Sequence, residues 1–209
     1  MTIIIPSMVR LFIARHGQTE WNREGKLQGW EDAPLTDKGF EQARDLRGRL
    51  TGEDIDVVYC SPLDRTKKTA EIIFEGKNPS IKKDERIKEI NMGKWEGTKG
   101  EEIKKRFPEL YSDFWERPHL YTPISGESFH DLKERVFSFI EEILEKYDDE
   151  NILIVSHGCA SKLMMSYFEG RSLSDIWEQP KLEEGCLNLV EIEDGEPEII
   201  LFGDTSFQD

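Results

Sequence analysis

Arg15-His16-Gly17, Arg65 and Ser156-His157-Gly158 are the residues of this chain whose types suit chemistry on a charged ester. Arginine presents a planar fork of N–H donors that matches two oxygens of a phosphate. A neutral imidazole nitrogen is a competent nucleophile near pH 7, since its unperturbed pKa is about 6.5. Two arginines, two histidines and the free N–H groups of a helix start suit a phosphate dianion. One imidazole would attack, and the other, once protonated, would act as a cation on the phosphoryl oxygens. Other chemistries lack their parts. There is no GxxxxGK[ST] loop and no G-x-G pair for nucleotides, and neither HExxH nor G-x-S-x-G occurs. The four histidines show no paired spacing, so no metal site is expected; His119 reads as a loop residue and His130 as a helix-surface residue.

These groups act together only if the fold delivers them to one place. Val9 to Ala14 reads as a buried strand that stops at Arg15-His16-Gly17. Asp56 to Cys60 is a second strand, and the Ser61-Pro62-Leu63-Asp64 that follows predicts a helix with Ser61 as N-cap and Pro62 in its first position, placing Arg65 about one turn after Cys60. Asn151 to Ser156 is a third strand, ending in His157-Gly158 and a helix through Phe168. Between them, Thr36 caps a helix with Phe40, Ala43, Leu46 and Leu50 on one side. Ser128 and Asp131 cap another, whose stripe runs from Phe129 to Tyr147. Leu187 to Ile192 and Glu198 to Phe202, joined across Asp194-Gly195, read as a terminal hairpin. Strands alternating with helices predict a three-layer α/β fold, a mainly parallel central sheet with helices on both faces. In such sheets ligands bind beyond the carboxyl ends of the strands, where both histidines and both arginines fall.

Composition sets the outer limits. The 209 residues carry 28 Lys+Arg against 43 Asp+Glu, a net charge of −15 that repels nucleic acid and anionic membrane surfaces. No repeat or linker divides the sequence, so one domain over residues 1–209 is expected. No apolar run approaches the roughly 20 residues of a membrane span. Met1 to Pro6 is apolar but has no basic flank and is broken by Pro6, so no signal peptide is expected. Cys60, Cys159 and Cys186 lack CxxC spacing and fit a reducing cytoplasm.

Arg15-His16-Gly17-Gln18-Thr19-Glu20-Trp21-Asn22 resembles the opening motif of the histidine phosphatase superfamily, phosphoglycerate mutase-like branch. The resemblance continues through Gln28-Gly29-Trp30, Pro34-Leu35-Thr36, Ser61 to Thr66, the IKEINMGKWEG segment with Glu89, Gly126-Glu127-Ser128 and Ser156-His157-Gly158. It implies His16 as the phosphorylated nucleophile, Glu89 as proton donor, and Arg15, Arg65 and His157 as the phosphate pocket. Asn22 and Gln28 would add amide donors, and Gly29 and Gly158 would complete the substrate-binding set. The activity implied is a metal- and cofactor-independent phosphomonoesterase acting on a small phosphorylated metabolite through a phosphohistidine. Two alternatives are a bisphosphoglycerate-dependent phosphoglycerate mutase and a non-catalytic binder of phosphorylated ligands. Family mutases carry a Gly-Leu-Asn-Lys stretch and an Arg-Arg pair that residues 97–126 lack, and a mere binder would have a broken catalytic set. Residues 97–126 are expected to form a small helical lid or specificity insert. Its Lys99, Lys104, Lys105, Arg106 and Arg117, with Phe107, Tyr111, Phe114, Trp115 and Tyr121, would contact substrate; alternatively its aromatic residues are core. The motifs specify neither the metabolite nor the oligomeric state.

Overall fold

The computed structural model describes residues 7–77 and 79–208; the reading of Met1 to Pro6 lies outside them. In chain order the elements are β1 (Met8–Arg15), α1 (Glu20–Arg23), α2 (Asp37–Arg49), β2 (Val57–Cys60), α3 (Asp64–Ile73), β3 (Ile81–Lys83), α4 (Gly100–Arg106), α5 (Pro108–Glu116), α6 (Phe129–Lys146), β4 (Asn151–Ser156), α7 (Gly158–Glu169), β5 (Leu187–Glu193) and β6 (Glu196–Asp204). The six strands form one sheet in the order β3-β2-β4-β1-β5-β6. The pairings among β1 to β4 are parallel, and β5 and β6 are antiparallel additions at one side.

The side chains of β1 alternate between two apolar layers, as a strand's period of two requires. Leu11 and Ile13 face one layer with Ile152 and Ile154, packed against Leu132, Val136, Phe139 and Ile140 of α6 and Leu163 of α7. Phe12 and Ala14 face the other with Leu153 and Val155, against Leu46 of α2 and Ala70 and Ile73 of α3. Burying each Leu, Ile or Phe contributes about 1.5–3 kcal/mol, so the helices are held to both faces by this alternation.

Local signals act as read at several ends. The Thr36 side chain accepts from the Gly39 N–H, and Ser128 and Asp131 form a reciprocal capping box. Asp194 and Gly195 take φ of 51° and 86°, the left-handed pair of a tight hairpin turn, which Asp-Gly tolerates. One signal fails. Helix α3 starts at Asp64 rather than Pro62, with Leu63 at the cap position and no side-chain cap bond. The Asp64 N–H is instead taken by Asp32 Oδ2 at 2.6 Å, which frees Ser61 for a different partner.

Register does the positioning. Arg15 lies beside Ser156, and Cys60 beside Val155, so β1, β4 and β2 end level with one another. The residues that follow, His16, His157 and Ser61, therefore leave the sheet side by side. Among the described residues no helix is long and apolar enough to cross a membrane.

Candidate active site

His16 and His157 meet edge to face with ring centroids 5.2 Å apart, and both are buried, at 3% and 0% exposure. His16 Nδ1 lies 2.8 Å from the Gly17 carbonyl oxygen. A carbonyl only accepts, so Nδ1 carries the proton and Nε2 carries the lone pair. That lone pair faces the Arg65 Nε–H at 3.3 Å. The same N–H reaches His157 Nδ1 at 3.2 Å, which makes Nδ1 an acceptor and leaves Nε2–H to donate to Ser61 Oγ at 2.8 Å. Both tautomers are thus set by neighbours. Burial first, then the adjacent Arg65 and Arg15, holds the His16 imidazole well below its usual range. Burial, Arg65, His16, Arg135 and Arg15 do the same to His157, so the expected cationic second histidine is neutral in this setting.

Arg65 is 2% exposed, and four of its five N–H groups have partners within the protein. Nη1 donates to Asp32 Oδ1 at 2.6 Å and the Glu31 carbonyl at 3.1 Å, and Nη2 donates to the Gly29 carbonyl at 2.6 Å. The loop 29–32 thus acts as a bracket for Arg65. Gly29 is required there by close approach: a Cβ would sit 2.6 Å from Glu96 Oε1, the Ile90 carbonyl oxygen and the Met92 nitrogen. Arg15 is held by the chain before β5, with Nη1 donating to the Leu182 carbonyl at 2.5 Å and Nη2 to Glu184 Oε1 at 2.8 Å. Its Nε is buried with no protein partner.

Glu89 is 6% exposed, and three backbone N–H groups point at its carboxylate: Ile90 and Ala160 to Oε1, Cys159 to Oε2. Two of those belong to the first turn of α7. A helix start is the expected seat for the phosphate; that of α7 serves Glu89 instead, because the carboxylate satisfies the same orphan donors. The start of α3 is likewise taken by Asp32. Arg135 and Trp30 fix the backbone around Glu89, donating to its carbonyl oxygen at 2.8 and 2.9 Å.

A cavity of about 310 Å³ opens over this cluster. Arg15, Asn22, Gln28, Glu89 and Gly158 line it; His16, Arg65 and His157 lie outside the lining, each hydrogen-bonded into the buried cluster, and Gly29 serves through Arg65. The Asn22 Oδ1 accepts from Thr19 N–H at 3.0 Å, and Gln28 Oε1 from the Thr19 hydroxyl at 2.7 Å, which turns the amide nitrogens away from Thr19. Gln28 Nε2 is buried without a protein partner. The apolar wall is Leu27, Met92, Phe114, Trp115, Trp177 and Leu182, and Lys26, Lys162 and Lys181 add charge. Of the 97–126 candidates, only Phe114 and Trp115 reach the lining. Phe114 is at once core, with ring centroids 5.0 to 6.0 Å from Trp95, Tyr121, Phe129 and Trp177. Arg106 pairs with Glu102 and Arg117 with Asp113, each within its own helix or one residue beyond it. His119 and His130 are both exposed and lie outside the lining.

Sequence reasoning missed Asp32, Ser61 as a histidine partner, Glu184, Arg135 and Trp177. Each acts across 30 or more residues of chain, and no local pattern marks it.

A family model described as "Histidine phosphatase superfamily (branch 1)" matches residues 11–205. Phosphoserine phosphatase 1 of Hydrogenobacter thermophilus is 38% identical over 170 residues, covering 81% of each chain. The adenosylcobalamin/alpha-ribazole phosphatase of Escherichia coli is 30% identical over 184 residues, covering 88% of this chain and 90% of the relative. The solved structure of Bacillus stearothermophilus YhfR superposes with a TM-score of 0.92 at 36% identity, covering 96% of this chain and all of that one.

Proposed function

The chain belongs to the histidine phosphatase superfamily, branch 1, and on that premise we propose that it is a metal-independent phosphomonoesterase that passes a phosphoryl group from a small metabolite to His16 and then to water. The carrying observation is the His16 tautomer: the Gly17 carbonyl holds the proton on Nδ1, so the Nε2 lone pair faces Arg65 and the cluster. In the first step Nε2 bonds to phosphorus as the ester P–O bond breaks, and Glu89 passes a proton to the leaving oxygen. In the second, water attacks the phosphohistidine, Glu89 takes back a proton, and phosphate leaves. The transition state spreads charge over three equatorial oxygens. Arg15 Nε and Gln28 Nε2 are buried donors with no partner in the protein, and with Arg65 they supply the hydrogen bonds that charge requires. Burial first, then the positive charge led by Arg65, holds His157 below its usual range, and a dianion among these groups offsets the charge part of that.

Hydrolysis is favoured over mutase action by the wall. Mutase action needs a grip on the acid end of a phosphoglycerate, and the arginines of the 97–126 segment are paired away from the cavity. We read that segment as a specificity wall within one domain, contributing Phe114 and Trp115. The relatives that act on phosphoserine and alpha-ribazole phosphate support a small phosphorylated metabolite as substrate.

Incubation with an aryl phosphate in the presence of a chelator tests the activity. Steady hydrolysis, with an acid-labile phosphoryl group on His16 lost in His16→Ala, is expected. Inertness of the wild type, or near-native turnover of His16→Ala, overturns the reading.

A further inference from the structure

Lys162 belongs to none of the roles above, yet it lines the cavity and is 4% exposed. It lies four residues after Gly158 on α7, so both project from one face of the helix. Its Nζ donates to the Glu178 carbonyl at 2.6 Å and the Pro180 carbonyl at 2.5 Å. The carbonyl between them, Gln179, accepts from Arg171 Nη2 at 3.3 Å. Two cations thus gather three consecutive carbonyls of the strap that runs from Trp177 to Gly185. Nζ also lies 5.3 Å from the Phe202 ring centroid. No carboxylate lies within ion-pair distance among the described residues, so the ammonium is held by carbonyls and a ring alone.

The strap is what makes this matter for chemistry. Trp177, Gln179, Lys181 and Leu182 line the cavity. The Leu182 carbonyl and the Glu184 carboxylate take both Nη groups of Arg15, and the Gly185 N–H donates to the His16 carbonyl at 3.1 Å. On its other side the strap is tied by Trp177 Nε1 to the Phe114 carbonyl at 2.7 Å. Lys162 is therefore the tie between α7, which carries the partners of Glu89, and the strap, which carries the partners of Arg15.

We infer that Lys162 is a positioning residue: by clamping the carbonyls of Glu178 and Pro180 it fixes the strap that aims Arg15 and sets the Trp177 wall, and so governs substrate affinity. The inference rests on the phosphatase reading for its kinetic arm. The clamp weakens as the ammonium loses its proton, because charge-assisted hydrogen bonds are about twice as strong as neutral ones. Burial, with Arg171 adding to it, brings that loss down to about 8; Glu169, Cys186 and Glu178 oppose. The charged groups facing Lys162 are Arg171, Glu169 and Glu178; burial pushes the Cys186 thiol up to about 12, so it stays neutral here.

The test compares wild type, Lys162→Met and Lys162→Arg. With an aryl phosphate, Lys162→Met is expected to raise KM about tenfold with kcat changed less than threefold, and Lys162→Arg to restore KM to within about threefold of wild type. Wild-type KM is expected to climb several-fold from pH 7 to pH 9, and that of Lys162→Arg to stay flat. Amide hydrogen exchange across residues 177–185 should quicken in Lys162→Met. Unchanged KM and unchanged exchange in Lys162→Met overturn the inference, as does an Lys162→Arg that behaves like Lys162→Met. If Lys162→Met does not fold, a wild-type KM flat across pH 7–9 overturns it alone. If the wild type does not hydrolyse the ester, the phosphatase reading fails and the exchange measurement still decides the clamp.

Discussion

Arg135 and Glu127 form a two-point ion pair, Nε to Oε1 and Nη2 to Oε2, both at 2.8 Å. The same guanidinium donates to the carbonyls of Arg86, Lys88 and Glu89, so one α6 side chain grips the whole segment that presents Glu89. Arg135→Met takes the ion pair from Glu127 and one donor from each of three carbonyls at once, leaving Glu127 the Asn91 N–H and the Glu89 carbonyl Trp30 Nε1. Stability is expected to fall by about 3 kcal/mol, the low end for a broken buried pair because the two side chains keep 16% and 18% exposure. Turnover of alkyl phosphates should fall about 10- to 100-fold, and that of esters with acidic leaving groups much less, since only the former need the Glu89 proton. A plot of kcat against leaving-group pKa checks this; equal losses across the series would mean Arg135 does not act through Glu89.

Gln28→Leu removes a buried donor that has no protein partner. A donor aimed at developing charge is worth about 100- to 1000-fold in rate, whereas an unpaired buried polar group costs the fold about 1–3 kcal/mol. The variant should lose about 100-fold in kcat/KM while stability changes by no more than about 1 kcal/mol, because losing the Thr19 bond to Oε1 and relieving the unpaired donor oppose each other. A stability loss with activity retained would place Gln28 in the scaffold.

At Gly158 an added Cβ would meet Arg15 Nε at 3.5 Å and Glu89 Oε2 at 3.6 Å, ordinary contact distances. Gly158→Ala therefore folds, with a gain of about 0.4–1 kcal/mol from the reduced freedom of the unfolded chain. The methyl stands between the phosphate donor and the acid, so KM should rise about tenfold or more. Unaltered KM with normal kcat would show that substrate does not pass between those two groups.

Stability should fall as pH drops below about 6.5. His16 and His157 resist protonation in the folded state, while the unfolded chain takes protons near 6.5. Below that pH the unfolded state binds more protons, so stability declines by up to about 1.4 kcal/mol per pH unit for each histidine. Asp131 and Asp175, both held below the ordinary carboxylate range chiefly by serine hydrogen bonds, add their loss only as pH falls through about 4. The window from pH 5 to 6.5 thus belongs to the histidines. Urea denaturation at pH 5, 6 and 7 measures the slope, which His157→Asn should lessen; no slope would mean the two rings are not held neutral.

The strands and their ends were legible because Val9 to Ala14 and Asn151 to Ser156 are short apolar runs with abrupt polar ends, and three such ends in register make a site. Caps at Thr36 and Ser128 were legible because both partners lie within four residues. Ser61 misled for the opposite reason: its local pattern is that of a cap, but His157, 96 residues away, claims the hydroxyl. Glu89 carries no local signal and came from motif resemblance; its surroundings, Arg135 and the first turn of α7, are assembled from distant segments. The strap from Trp177 to Gly185 has no periodicity, so its hold on Arg15 and His16 appears only in three dimensions.

The two unpartnered donors, Arg15 Nε and Gln28 Nε2, also bear on how the cycle ends. Inorganic phosphate offers them the same oxygens as the ester did, and loses only the contacts that the departed body made with Trp115 and Trp177. On the proposed mechanism the product is therefore expected to hold on by much of the binding set. Added inorganic phosphate is expected to slow turnover by competing with the ester.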